Sequence, residues 1–121
     1  MSDRIVLANM QFDGQHGEHD WERATPQPFE VDVELGLDLE PAGRSDELAK
    51  TVDYGRVFDI AHEIVESRTF HLLETLAETI AAEVLASFPL VDEIGVRVRK
   101  PKVRLSGKID YAGVEISRRR A

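Results

Sequence analysis

One long stretch of strict alternation constrains the fold of this chain more than any other feature. From Phe29 to Leu39 the sequence reads FEVDVELGLDL, in which every odd position is apolar and the positions between are acidic or glycine. Successive side chains of a β-strand point to opposite faces, so one face of this stretch is apolar and the other is polar. The stretch therefore predicts a long antiparallel strand with a hydrophobic layer packed on one side.

Other patterned stretches predict the rest of the sheet and the layer that covers it. Apolar residues recur at helical spacing in two segments, and Thr51 and Asp53 are N-cap candidates for the first. Pro41 and Gly43 separate the alternating strand from this helix, and Pro89 ends the second helix. The predicted elements are strands over 4–12, 29–39, 94–100 and 113–117, and helices that begin near Tyr54 and His71.

The resulting order, β-β-α-α-β-β, predicts an α+β fold in which an antiparallel sheet carries two helices on one face. We expect a single domain over residues 1–121. Such a sheet leaves the edges of its outer strands exposed, and proteins blunt these edges, cover them or close them into a barrel. Because the chain is short, we expect several copies to close a barrel together, with clefts at the boundaries between subunits.

The composition excludes several classes of protein. Hydrophobic residues make up 42% and charged residues 31%, which is typical of a folded globular chain. No apolar run approaches the roughly 20 residues of a membrane span, and the first residues lack the apolar core of a signal peptide. We therefore expect a cytoplasmic protein without a membrane partner. With no cysteine, the chain has no disulfide and no thiolate nucleophile.

The net charge of -8 argues against a nucleic-acid partner, because neutralising phosphates requires clustered cations. The run Arg118–Arg120 is basic, but at a chain end we expect it to be solvated and mobile.

The connection from Asp13 to Pro28 is irregular, with two glycines, two prolines and the only tryptophan. Unstructured connections of this length are uncommon in compact domains and are often functional. His16 and His19 form the run HGEH, but no third ligand follows at a recognisable spacing. We therefore expect neither a metal ion nor another cofactor.

Lys100 departs from the pattern of its predicted strand. Ile94, Val96 and Val98 share one face, and Lys100 is the next residue of that parity before Pro101 stops the ladder. An ammonium group on the covered side of a strand end needs a partner, a shifted pKa or a site to reach into. The alternative is a lysine whose stem packs on apolar neighbours while its head group reaches solvent. The residues alone leave both interpretations open.

Three further polar residues are candidates for a site. Glu74, in the first turn of the second helix, is either an ordinary surface carboxylate favoured by the helix dipole or a group that grips a cationic or amidine-like ligand. Tyr54 begins the first helix. Glu22 lies in the irregular connection and is only one of 23 acidic residues. We expect Asp53 to act simply as a helix cap.

Six segments are informative when taken together: FDGQHG followed by Glu22-Arg23, FEVDVEL, TVDYGRVF, LLETLAE, VRVRKP and DYAGVEI. In this order and at this spacing, they resemble one known family, the dihydroneopterin aldolases. The resemblance runs from about Arg4 to Ile116 and implies the tunnelling fold, in which subunits form β-barrel rings. It also implies a homo-oligomer, a tetrameric ring stacked into an octamer.

The resemblance implies a substrate and the residues that bind it. The reaction would convert 7,8-dihydroneopterin into 6-hydroxymethyl-7,8-dihydropterin and glycolaldehyde, a step of folate biosynthesis, with some 2′-epimerase activity. Glu74 corresponds to the carboxylate that anchors the pterin ring, and the backbone of Val52 and Leu73 completes the cradle.

The resemblance also implies the catalytic residues. Lys100 and Glu22 correspond to the polar pair at the reacting side chain, and Tyr54 to a tyrosine supplied by a neighbouring subunit. Other aldolases accept the electrons of the cleaved bond on a lysine Schiff base or a metal ion. Because the N5=C6 imine of dihydroneopterin can accept them itself, protein groups need only move protons and hold geometry.

The chain departs from the family pattern at two places. The segment from Lys102 to Gly107 replaces a proline-rich turn, and Glu18 stands where an apolar residue is usual. Lys102 and Arg104 keep open a phosphorylated substrate and a dedicated 2′-epimerase of dihydroneopterin or its triphosphate. A non-catalytic ring that binds pterins or purines is the other alternative.

Overall fold

The computed structural model describes residues 3–121. It contains a single antiparallel sheet with helices packed on one face. The sheet has four strands arranged in chain order. The elements are β1 (Arg4–Gly14), α1 (Asp20–Ala24), β2 (Gln27–Gly36), α2 (Glu40–Ser45), a 3₁₀ turn (Leu48–Lys50), α3 (Tyr54–Ser67), α4 (Leu73–Ser87), β3 (Glu93–Lys100) and β4 (Ala112–Arg119). The predicted α+β class and the β-β-α-α-β-β order of the long elements are confirmed.

The alternating stretch forms the centre of the sheet. In β2, Val31, Val33 and Leu35 are completely buried, and the acidic residues between them lie on the opposite, open face. β2 pairs with β1 on one side and β3 on the other, with Val33 opposite Val96. The one-sided strand therefore fixes which face of all four strands is covered.

The two long helices cover that face. α3 packs on β1 and α4 packs on β3 and β4. Asp53 caps α3 by accepting a hydrogen bond from the Gly55 N–H at 3.0 Å, which confirms the predicted cap. The helical residues buried against the sheet are Val57, Ala61, Ile64, Val65, Leu76, Ala77, Ile80, Ala81 and Val84. In the part of the chain described, no helix combines the length and apolar character needed to cross a membrane.

The irregular connection contains more structure than its composition predicts. β1 continues to Gly14, the five-residue helix α1 follows, and β2 begins at Gln27. β2 also ends earlier than the alternation predicts, at Gly36, where the Leu37 N–H turns to the carbonyl of Asp3. These are local departures, and the covered face stays as predicted.

The basic chain end is exposed, as expected, but it is attached to the fold and does not form a free tail. β4 extends to Arg119, and the Arg118 guanidinium pairs with Glu78 of α4. The Arg120 guanidinium donates to the carbonyls of Leu85 and Phe88 at 2.8 and 2.9 Å. These carbonyls lie at the C-terminal end of α4, where a cation is favoured by the helix dipole.

Candidate active site

Lys100 is buried, and it is paired. The whole residue is 8% exposed, and it lies at the end of β3 on the covered face of the sheet. The Nζ atom donates to Oε2 of Glu22 at 2.5 Å, and Glu22 is itself only 6% exposed. The ammonium group is therefore held by Glu22, and it is not the solvent-reaching head group of the alternative interpretation. A buried pair of opposite charges at the end of a sheet is a candidate site for proton transfer.

The short helix α1 places the Glu22 carboxylate. Oε1 of Glu22 accepts the His19 N–H at 3.3 Å, and the Glu22 N–H in turn donates to the His19 carbonyl at 3.0 Å. Gly17 has φ +152°, and a Cβ built on it would lie 2.4 Å from Cδ of Glu22. Glycine is thus required at residue 17, because any side chain there would displace the carboxylate.

The electrostatics keep the Glu22 carboxyl ionised. Burial alone would raise its pKa, but the hydrogen bonds from Lys100 and the His19 N–H and the nearby positive charge outweigh burial and lower the pKa. Both Glu22 oxygens have donors, one from Lys100 and one from His19. An ammonium group has three donors. Within residues 3–121 one of these meets Glu22 and no other protein acceptor bonds Lys100, so donors remain for a substrate.

The first turn of α4 lies at the same end of the sheet as Lys100. α4 packs on β3, and the short connection over 88–92 reverses the chain between them, so the start of α4 lies near the end of β3. Leu73 is half-buried and Glu74 is exposed there. The first N–H groups of a helix have no partner within it, so this end offers free donors beside a carboxylate.

Tyr54 and Val52 lie at the opposite end of the chain's helical layer. The C-terminal end of α3 lies near Glu22, because the Val65 carbonyl is bonded to His16, which precedes Gly17. Tyr54 begins α3, a helix length away, or about 20 Å. It is 66% exposed, while Val52 is buried. One chain therefore brings together Lys100, Glu22 and the start of α4, and it leaves Tyr54 and Val52 apart from them.

His16 is a buried structural group. It is completely inaccessible, with Nε2 2.7 Å from the Val65 carbonyl oxygen and Nδ1 3.1 Å from the Phe70 N–H. Both ring nitrogens are occupied by backbone groups, so the ring is not available as a metal ligand. His19 instead stacks on Trp21. Reasoning from the sequence missed the role of His16, because its partners come from distant parts of the chain.

The segment after Lys100 folds back on α1. The Arg104 guanidinium lies 4.5 Å from the centre of the Trp21 ring, a cation–π contact. Trp21, Gln27 and Lys102 line a cleft of about 630 Å³ in this region. The sequence indicates Lys102 and Arg104 as possible contacts to a phosphorylated substrate, but it does not indicate that Trp21 and Gln27 lie beside them. No signal in the sequence pairs the tryptophan with an arginine more than eighty residues later.

The sequence of residues 5–117 matches the profile of FolB, dihydroneopterin aldolase. The chain belongs to the dihydroneopterin aldolase family. This confirms the family predicted from the six segments, and with it the prediction of an enzyme with dihydroneopterin aldolase function.

Named relatives agree with this assignment over the whole chain. The chain is 42% identical over 121 residues to a dihydroneopterin aldolase of Methylorubrum extorquens, covering 100% of this chain and 93% of that protein. It is also similar to a crystal structure described as a putative dihydroneopterin aldolase (FolB) of Vibrio cholerae, with a TM-score of 0.91, 29% identity and 99% coverage of both chains. The E. coli dihydroneopterin aldolase, solved in complex with neopterin, gives a TM-score of 0.89 at 27% identity, covering 96% of this chain and 98% of that one.

Proposed function

We propose that the protein cleaves 7,8-dihydroneopterin into 6-hydroxymethyl-7,8-dihydropterin and glycolaldehyde in the cytoplasm, as a step of folate biosynthesis. The observation that carries this proposal is the buried Lys100–Glu22 pair beside the first turn of α4. The E. coli relative that binds neopterin supports the substrate class.

The proposed cleavage is a retro-aldol reaction that uses the substrate as its own electron sink. The 2′-hydroxyl loses its proton, the C1′–C2′ bond breaks, and glycolaldehyde leaves. The electron pair of that bond moves onto the N5=C6 imine, and N5 takes up a proton. Protonation of C1′ and loss of the N5 proton then give the hydroxymethyl product. Each step needs a positioned proton donor or acceptor, which general acid–base groups provide.

In this proposal Lys100 relays the protons, directly or through a water molecule, between the 2′-hydroxyl, N5 and C1′. Glu22 orients the ammonium group and the substrate hydroxyls, and Tyr54 assists at the reacting carbon. The support is chemical, since Lys100 has donors beyond the one used by Glu22. The ion pair also holds Lys100 in a single position, which reduces the reorganisation needed during the reaction.

We further propose that the pterin ring binds at the start of α4. The Glu74 carboxylate accepts hydrogen bonds from the pterin amino group and ring N–H, a paired arrangement that carboxylates favour. The backbone of Leu73, and of Val52 from another subunit, completes the cradle. The exposure of Glu74 and the free first-turn N–H groups of α4 support this role.

The proposed assembly is a tetrameric ring, stacked into an octamer, in which neighbouring sheets continue into a barrel. β1 and β4 are the outer strands of the sheet, so each has an edge that another copy could pair with. The distance of Tyr54 from Lys100 within a chain supports a site built across subunits, because a second copy is required to bring them together.

One assay tests the proposed reaction against its alternatives. Purified protein is incubated with 7,8-dihydroneopterin and the products are separated by chromatography. Hydroxymethyl-dihydropterin and glycolaldehyde are expected. Formation of the 2′-epimer alone would identify an epimerase, and binding without product would indicate a non-catalytic ring. Within residues 3–121, Lys102 and Arg104 form no ion pair, so dihydroneopterin triphosphate is included as a second substrate.

A mixing experiment tests the shared site. Tyr54→Phe and Lys100→Met are expected to be nearly inactive as pure oligomers. If each site combines Lys100 of one chain with Tyr54 of its neighbour, co-expression in equal amounts should restore about a quarter of the wild-type activity, from statistical mixing in the ring. Activity no greater than that of the separate variants would contradict a site shared in this way.

A further inference from the structure

His16 is held by two backbone groups of opposite kind. The Val65 carbonyl can only accept a hydrogen bond, so Nε2 of His16 carries the proton, at 2.7 Å. The Phe70 N–H can only donate, so Nδ1 is the acceptor, at 3.1 Å. The ring is therefore neutral and in the Nε2–H tautomer. Its burial also favours the neutral form, because burial, with the charge of Lys100, lowers its pKa.

The two bonds of His16 join three parts of the fold. Val65 belongs to the last turns of α3, and Phe70 lies in the segment that leads into α4. A third bond, from the Gly17 N–H to the Phe70 carbonyl at 3.0 Å, closes the same junction. The loop after β1 is thus fixed to both helices at a single point.

The same junction determines where Glu22 lies. Gly17, the residue after His16, is in direct contact with the Glu22 side chain. The Arg23 guanidinium donates to the Gly17 carbonyl at 2.7 Å, which ties α1 to this loop. A displacement of His16 would therefore move Gly17, then Glu22 and its partner Lys100.

The packing leaves room for an imidazole and little else. The His16 ring stacks on Phe70 and meets the edge of Phe29 at centroid distances of 5.7 and 5.1 Å. A Cβ on Gly14 would lie 2.8 Å from the ring, so glycine there makes space for it. This close fit gives the ring one orientation and makes its two hydrogen bonds specific.

We propose that His16 is a positioning residue of this enzyme, holding the Glu22–Lys100 pair in register with the pterin-binding end of α4. The inference rests on the proposed function for the roles of those residues. His16 touches no reacting atom. It acts by fixing the loop that carries Glu22 against the segment that carries Leu73 and Glu74.

A matched pair of substitutions separates the two hydrogen bonds. In His16→Asn the short amide oxygen can replace Nδ1 and accept the Phe70 N–H, but it cannot reach Val65. In His16→Gln the amide nitrogen can reach the Val65 carbonyl, but the Phe70 N–H loses its acceptor. Val84→Ala is the control, because Val84 is fully buried in α4 and lies outside the site.

Steady-state kinetics on the folded oligomers test the proposal. His16→Gln should lower kcat/KM by about tenfold to a hundredfold, mainly through kcat, because small displacements of positioned catalytic groups are costly. His16→Asn, which keeps the bond from the Phe70 N–H, should lose less kcat than His16→Gln. Val84→Ala should lower the melting temperature but leave kcat and KM within about twofold, since cavities act on stability. Unchanged kinetics in His16→Gln, or equal kinetic losses in Val84→Ala, would overturn the proposal.

Two measurements test the role of His16 even if the protein does not cleave dihydroneopterin. Imidazole ¹⁵N chemical shifts of the wild-type oligomer should identify a neutral Nε2–H ring at neutral pH. Amide hydrogen exchange in His16→Gln should rise in residues 17–23 and 69–75 and stay unchanged in β2. A different tautomer, or exchange that rises uniformly, would overturn the role of His16. A wild-type protein without product would instead contradict only the proposed function.

Discussion

Arg99 and Lys100 are neighbours on β3, and they carry their charges to opposite faces of the sheet. Arg99 lies on the open face with Asp32, where their side chains are 16% and 15% exposed. Lys100 lies on the covered face with Glu22, where the two side chains are 10% and 8% exposed. In both pairs the shortest contact is 2.5 Å. From distance and burial alone, the two ion pairs would be expected to have the same role in the protein.

Their hydrogen bonding separates them. The Arg99 guanidinium donates to Glu30, to both oxygens of Asp32 and to the Asn9 side chain, so nearly all of its five donors are used. Asn9 is itself held at φ 53° in a bulge of β1, with its N–H bonded to Asp32 at 2.6 Å. This network locks β1, β2 and β3 together.

Lys100 has the simpler surroundings, because within residues 3–121 a single protein acceptor bonds its ammonium group of three donors. A cation whose donors are nearly all used within the fold stabilises it, whereas a cation with unused donors at the end of a sheet can bind and protonate a ligand. Burial therefore marks both Arg99 and Lys100 as unusual. The number of unused donors indicates that Lys100 is the one suited to a catalytic role.

The largest expected effect is on turnover. Lys100→Met keeps much of the apolar stem and removes the proton relay, so kcat for dihydroneopterin should fall by about 10²–10⁴-fold, the range typical of a general acid–base group. Pterin affinity should change little, because Glu74 remains. Product formation and binding of a pterin are measured separately on the same preparation. Near-normal turnover would show that Lys100 is a structural cation like Arg99.

Arg99→Met should have the opposite profile. It leaves Asp32 and Glu30 without their cation, and we expect a loss of about 1–3 kcal/mol in the free energy of unfolding, because the removed hydrogen bonds are charged and partly buried. kcat should stay within about threefold, since the site is on the other face of the sheet. Urea unfolding and kinetics of the same variant check this. A kcat loss as large as that of Lys100→Met would remove the distinction between the pairs.

The sequence places Lys100 on the covered face of β3, but it leaves open whether the head group reaches solvent and does not identify a partner. Alternation fixes the face of each residue in β3, so the parity of Lys100 with Val98 is enough to place it on the covered side. Glu22 is 78 residues away in a five-residue helix that has no amphipathic repeat. Without the family resemblance, no local pattern connects the two residues.

The irregular connection illustrates the same limit. A run such as HGEH reads as a polar loop, yet His16 is buried because α3 and the segment before α4 supply partners 49 and 54 residues away. Partners of this kind are a product of tertiary structure. In the proposed assembly Tyr54 meets Lys100 only through a second copy of the chain, which no pattern within one chain specifies.

The smallest expected effect is on acid stability, and it separates the two pairs by pH. The hydrogen bond from Arg99 lowers the pKa of Asp32, and the pKa of Glu22 is lowered as well. A carboxyl with a lowered pKa in the folded state contributes stability at neutral pH and loses it as the pH falls. The loss begins near the ordinary pKa values of 4.5 for Glu22 and 3.8 for Asp32 and continues below them.

Each carboxyl can change the slope of stability by at most about 1.4 kcal/mol per pH unit. Glu22→Gln should therefore flatten the stability curve from just below pH 4.5, and Asp32→Asn only below pH 3.8, where their ordinary pKa values lie. Urea unfolding followed at closely spaced pH values would resolve the two onsets. Curves that run parallel to the wild type for both variants would mean that neither carboxylate is held more strongly in the folded protein, and the two ion pairs would then contribute nothing to its resistance to acid.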